Sequence, residues 1–135
     1  MMKYIVLFLL MGNLSLAAEG EKHRGQLVKV LSPTTIQVRE TKKPITITLR
    51  GVSDKQLTAA QKKKAVNYLK EKLNGQVLIW EEYKDGVEVS PNGVGQMSRS
   101  LLEWGLVNLD AKSPDNYKQF EELGRSRKVG IWESK

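Results

Sequence analysis

The sequence has no cysteine and only one histidine in 135 residues. Without cysteine it can form no disulfide, no cysteine-ligated zinc site, no iron–sulfur cluster and no thiol nucleophile. One histidine excludes a histidine-rich metal centre and leaves little room for a histidine-dependent triad. Acidic residues are the minority charge, 15 against 22 basic, for a net +7. The sequence pI is about 9.6. Such an excess favours contact with polyanions, although it bears on association and not on fold. Long apolar runs are scarce too. The longest is Tyr4–Leu10, extended weakly to Leu16. A bilayer span needs about 20 apolar residues, so this run is too short to cross one.

That run has another reading. Lys3 precedes it, and Ser15-Leu16-Ala17 follows with small residues three and one before a cut. This is the layout of a secretory signal over 1–17. The mature chain is then expected to start near Ala18, to be exported to the periplasm or beyond, and to contain no membrane span. Removing Lys3 lowers the charge from +7 to +6. With 40% apolar residues the remainder can build one core, and its length suits one domain. Residues 18–24 (AEGEKHR from Ala18) are charged and aperiodic and read as a short tether, with His23 solvated in it. Residues 25–135 read as the domain.

Within the domain, Gly25–Leu31, Thr35–Arg39 and Ile45–Leu49 read as three strands of a meander, with Ile36 and Val38 on one face. Thr58 caps a helix with Gln61 as its capping-box partner, and Ala65, Val66, Leu69 and Leu73 form the apolar stripe. Asn74-Gly75 stops it. Gln76–Glu82 and Val87–Val89 are further strands, and Asn92-Gly93 is a tight-turn signal. Ser98 is expected to cap a short helix ending at Gly105. Ser113-Pro114 is expected to start the last helix, which turns Tyr117, Phe120 and Leu123 inward. The order suggests an α+β fold: a five-stranded OB-type β-barrel with about three helices.

From Gly25 to Trp132 the chain resembles the staphylococcal-nuclease-like (thermonuclease-like) family. Five pieces carry the resemblance: Gly25–Leu31 leading into Thr35–Val38; Ile47–Val52; Tyr68-Leu69-Lys70 with Leu73–Val77; Ser100–Val107; and Arg125 followed by Gly130-Ile131-Trp132. The resemblance implies an OB-type fold and calcium-dependent cleavage of phosphodiester bonds. The family uses two aspartates on calcium, a glutamate on the attacking water and two arginines on the phosphate. At the corresponding positions this chain has Thr34 and Ser53 for the aspartates, Gln56 for the glutamate, and Thr48 and Asp85 for the arginines. Thr35 keeps its family identity. Neutral hydroxyls do not replace carboxylates around calcium, and an amide is no general base near neutral pH.

Three functions are consistent with these residues. The first is a pseudo-nuclease that binds nucleic acid or another polyanion. Its candidate contacts are Lys62, Lys63, Lys64, Arg125, Arg127 and Lys128, with Trp80, Tyr83 and Trp104 as stacking surfaces. It needs no cofactor and no metal. The second is an active nuclease with a rearranged site, in which a one-residue slip brings in Arg50 and Asp54 with Asp85 and Glu88; only this version requires calcium. The third is a scaffold for a protein partner. The chain is expected to be a monomer.

Overall fold

The computed structural model describes residues 20–133. The signal reading at 1–17 and the first two residues of the tether lie outside them. Strand β1 (Lys22–Ser32), β2 (Thr35–Arg39) and β3 (Pro44–Thr48) form the expected antiparallel meander. Two register shifts in the β1–β2 ladder leave Val28 and Leu31 as extra residues on β1. Such bulges bend a strand and increase its twist. They also push these two apolar side chains off the ladder, where they are exposed. The bend lets β1 serve two neighbours. Its second part pairs with β2, and its start, Lys22–Gly25, pairs with β5 (Leu78–Tyr83).

That pairing corrects the tether reading. Residues 22–24 are strand, and the His23 ring stacks on Trp80 with centroids 5.7 Å apart. The indole ring of Trp80, fully buried, offers the apolar surface that draws this segment into the sheet.

β5 turns into β6 (Gly86–Pro91) through Lys84-Asp85, giving the sheet order β3-β2-β1-β5-β6. The described residues form an α+β fold, with three helices and a five-stranded antiparallel sheet. The sheet is not a closed ladder. Its two edges meet at one isolated parallel bridge, Leu49 to Val87, where the Arg50 amide donates to the Val87 carbonyl at 2.9 Å. Two short strands, β4 (Val52–Ser53) and β7 (Asn108–Leu109), pair separately.

Helix α1 (Ala59–Leu73) starts as its sequence predicts. Thr58 Oγ1 accepts the Gln61 amide at 3.1 Å, and Gln61 Oε1 accepts the Thr58 amide at 2.9 Å. Truncating such a cap costs about 1 kcal/mol. Ala65, Leu69 and Leu73 are fully buried and Val66 half-buried, while Lys62, Lys63 and Lys64 face solvent. Truncating Leu69 to alanine would cost about 2–5 kcal/mol through lost contact and the cavity left.

Helices α2 (Met97–Glu103) and α3 (Lys118–Arg127) complete the fold, with single 3-10 turns at Asp115–Tyr117 and Gly130–Trp132. Their starts differ from expectation. Gln96, not Ser98, is the cap residue of α2. Ser98 lies inside the helix, fully buried, its hydroxyl without a partner. Pro114 occupies the cap position of the 3-10 turn before α3. Asn92-Gly93 makes the expected tight turn at the end of β6, both residues at positive φ and the Val94 amide donating to the Pro91 carbonyl at 3.0 Å; the β5–β6 hairpin itself turns at Lys84-Asp85. Tyr117 and Phe120 are buried as expected and Leu123 is half-buried.

Gly105 and Gly130 join α2 to the C-terminal segment. The Gly105 carbonyl accepts the Ile131 amide at 2.7 Å. Both glycines have positive φ, and a β-carbon on Gly130 would lie 2.1 Å from the Gly105 oxygen. Only residues without a side chain allow this approach. Among the described residues, no helix is long and apolar enough to cross a membrane.

Candidate functional site

At the five positions that the resemblance assigns to the family's site, the side chains are two threonines, a serine, a glutamine and an aspartate. Thr34 is buried between β1 and β2; its carbonyl accepts the Leu49 amide at 2.8 Å and its amide reaches Ser32 Oγ at 3.2 Å. Thr48 lies on the exposed side of β3, paired in register with Thr35. Ser53 Oγ accepts the Lys55 amide at 3.3 Å, which closes a local turn. Gln56 is exposed and lines a groove described below. Asp85 sits at the β5–β6 turn. Among the described residues, no three or more histidine, aspartate or glutamate side chains are grouped to hold a metal ion.

Three of the four residues of the rearranged-site reading do come together. Arg50 Nε lies 2.7 Å from Asp85 Oδ1, and a guanidinium nitrogen lies 3.7 Å from Glu88 Oε2. The guanidinium also lies 3.9 Å from the centroid of the Tyr83 ring. Asp54 makes no ion pair with Arg50. Gly86 makes the cluster possible: a β-carbon there would lie 2.8 Å from Arg50 Cα, so only glycine lets the hairpin approach so closely.

Glu88 anchors the buried side of this cluster. Gln96 donates to its Oε1 at 2.9 Å, and the Tyr117 hydroxyl donates to its Oε2. Burial pushes its carboxyl above the usual carboxylate range. Arg50 opposes that rise, while Glu81 and Asp85 add to it. The Tyr83 hydroxyl, which donates to Glu81 at 3.2 Å, is likewise pushed up, by burial first and then by Glu81. In this cluster Arg50 is matched by Asp85 and Glu88 and stacked on the Tyr83 ring.

The strand pattern hides Glu88. An acid between Val87 and Val89 reads as solvent-facing by alternation. The structure covers that face with the start of α2 and the turn at Tyr117, so all three residues are buried.

The basic candidates fall on two elements. Lys62, Lys63 and Lys64 are exposed on α1; Arg125 and Arg127 are exposed on α3, and Lys128 follows in the left-handed conformation that ends it. The arginines are partnered by rings. Arg125 lies 4.4 Å from the Trp132 ring centroid and pairs with Glu121 Oε1 at 3.3 Å; Arg127 lies 5.7 Å from the Trp104 ring. Of the three stacking candidates, Trp80 is fully buried, Tyr83 carries Arg50 on one face, and Trp104 is half exposed.

A groove of about 450 Å³ runs between the start of α1 and the C-terminal turn. Gln56, Gln61, Asn108, Arg125 and Trp132 line it over an apolar floor that includes Leu57 and Ile131. A second hollow of about 190 Å³ shares Gln61 and Ile131 with it and includes Lys64 and Gly105. Asn108, Glu121 and Trp132 carry no motif that marks them for this role, because they meet only through the packing of α3 and β7. No family model matches the chain, and no curated protein matches it.

Proposed function

We propose that this chain is a non-catalytic relative of the staphylococcal-nuclease-like family: an exported OB-type module that binds nucleic acid or another polyanion without cleaving it. One observation carries this reading. Arg50, the arginine nearest the family's catalytic position, is spent on Asp85, Glu88 and Tyr83, and Thr34, Ser53 and Gln56 supply neither metal-binding charge nor a base. A guanidinium neutralised by its own acids is not available to a phosphate transition state. The parallel bridge from Leu49 to Val87 supports the OB-type arrangement, because it brings the two sheet edges together. The leader-like segment supports export, and the +6 charge left without Lys3 supports a polyanion.

The test uses purified chain starting at Ala18, with denatured DNA and millimolar calcium. The expected outcome is no cleavage, together with oligonucleotide binding that weakens steeply with salt. Calcium-dependent digestion abolished by a chelator would establish the rearranged nuclease instead. An absence of binding at low salt would remove the nucleic-acid reading and leave the protein-scaffold one.

A further inference from the structure

We infer that Arg24 and Arg39 form a phosphate site for the backbone of a nucleic acid, in a hollow between the start of β1 and the end of β2. The site rests on the binding reading above and gives it a place and a contact chemistry. The hollow measures about 300 Å³, and Arg24, Gln26, Arg39, Glu40 and Thr41 line it. Gly25 lets the two strands close here: a β-carbon on it would lie 2.2 Å from the Arg39 carbonyl oxygen. What marks the two arginines is that the fold leaves them unpartnered. Arg50, Arg99, Arg125 and Arg127 each lie over an aromatic ring, and the first three also pair with an acid. Arg24 and Arg39 are exposed and, among the described residues, do neither.

Glu40 shares the hollow, but its Oε1 lies 3.2 Å from His23 Nδ1 and pairs with neither guanidinium. Glu82 flanks the other nitrogen of that ring at 3.6 Å. Lys42 and Lys43, exposed in the adjoining β2–β3 turn, add charge of the same sign as the arginines. Neighbouring like charges repel, and an anion between them relieves that repulsion. A guanidinium presents its donors as a planar fork that takes two oxygens of one anion. A carboxylate has only two oxygens, in one plane, and one fork satisfies them. A phosphate is tetrahedral and directs its oxygens to more than one side, so two forks can share it, with the Gln26 amide and Thr41 hydroxyl as further donors. Sulfate esters are weaker acceptors than phosphate esters. Val77, the apolar side chain of the lining, is half-buried, so the hollow offers little to enter a bilayer. These features favour a phosphodiester strand over an acidic peptide, a sulfated polysaccharide or a lipid surface.

The experiment measures anisotropy of fluorescent oligodeoxythymidine and oligodeoxyadenosine titrated with the chain starting at Ala18, across a salt series. R24Q/R39Q is expected to bind about tenfold more weakly at low salt and to flatten the salt slope by about 0.7, the value for one phosphate of a single strand. The loss is expected to be the same for both oligonucleotides, because a phosphate contact carries no sequence information. K112Q/K118Q removes the same charge from the stretch leading into α3 and is expected to change affinity by less than about threefold. R24K/R39K keeps the charge and loses the forks; it is expected to keep the slope and bind about threefold more weakly. R39Q alone, at the exposed end of β2, is expected to weaken binding about threefold, so the test does not depend on the docking of the first strand.

Equal loss in R24Q/R39Q and K112Q/K118Q, or loss in neither, overturns the hollow while leaving the binding reading intact. Full affinity in R24K/R39K overturns the forked contact, and loss toward only one of the two oligonucleotides overturns the backbone contact. Tighter binding of dextran sulfate or of phosphatidylglycerol vesicles than of the oligonucleotides, lost in R24Q/R39Q, overturns the ligand class. No binding of the unaltered chain to either oligonucleotide at low salt overturns the nucleic-acid reading and this inference with it.

Discussion

Arg50 reaches Asp85 across the β5–β6 turn, Nε to Oδ1 at 2.7 Å, with both side chains largely covered. Charge-assisted bonds of this length are stronger than neutral ones, yet a partly exposed pair contributes only modestly to stability. A double-mutant cycle with Arg50→Gln and Asp85→Asn should return a coupling of about 1 kcal/mol by urea denaturation. A coupling near zero would mean that the two side chains meet without holding each other.

Glu88 should make stability depend on pH. Its native carboxyl titrates above the ordinary value of 4.5, chiefly because it is buried. The native state therefore holds the proton more tightly than the unfolded chain. That contribution is fully present below the ordinary value and is lost as pH rises through the raised native one. Arg50, Glu81, Asp85, Gln96 and Tyr117 face the group. Glu88→Gln stays neutral throughout, so it should lack this component of the slope. Denaturation midpoints of both proteins from about pH 4 to 7 would check it; a constant difference between them would contradict it.

The contact between Gly105 and Gly130 should tolerate no side chain. A β-carbon on Gly105 would lie 2.2 Å from the Val129 oxygen, and its φ is +65°. Gly105→Ala should therefore destabilise by about 2–4 kcal/mol, with both clash and backbone strain contributing. Gly75→Ala has positive φ but nothing within 4 Å, so it should cost only about 1 kcal/mol. Thermal melting of the two variants separates contact from conformation.

Removing residues before Gly25 should matter. A solvated tether would leave stability unchanged. Lys22–Arg24 instead pair with Ile79–Glu81, and His23 covers Trp80. A chain starting at Gly25 should melt lower than one starting at Ala18 and show red-shifted tryptophan emission as water reaches the Trp80 ring. Identical melting would restore the tether.

Local elements were legible where neighbouring residues carry the signal. The capping box at Thr58 and Gln61, the stripe through Leu69 and Leu73, and the alternation of Ile36 and Val38 depend on spacing within a few residues. Ser98 misled because a serine before an apolar run looks like a cap, whereas packing of α2 against the sheet buried it. His23 misled because its surroundings in sequence are charged, and its partner Trp80 lies on another strand. The candidate site was legible only through the resemblance, which names Thr34, Thr48, Ser53 and Gln56 as positions without the family's carboxylates and arginine, but not what Arg50, Asp85 and Glu88 do.

By itself the sequence determined the α+β composition, the strand faces, the frame of α1 and the lack of cysteine chemistry, because these follow from residue type and short-range period. Only the tertiary structure decided that Arg50 pairs with Asp85 and Glu88 and not with Asp54, that β1 bends to serve two neighbours, and that Gln56, Arg125 and Trp132 come to border one groove. Those outcomes depend on contacts between residues far apart in the chain, where side-chain shape and burial choose among partners that the local pattern leaves equal.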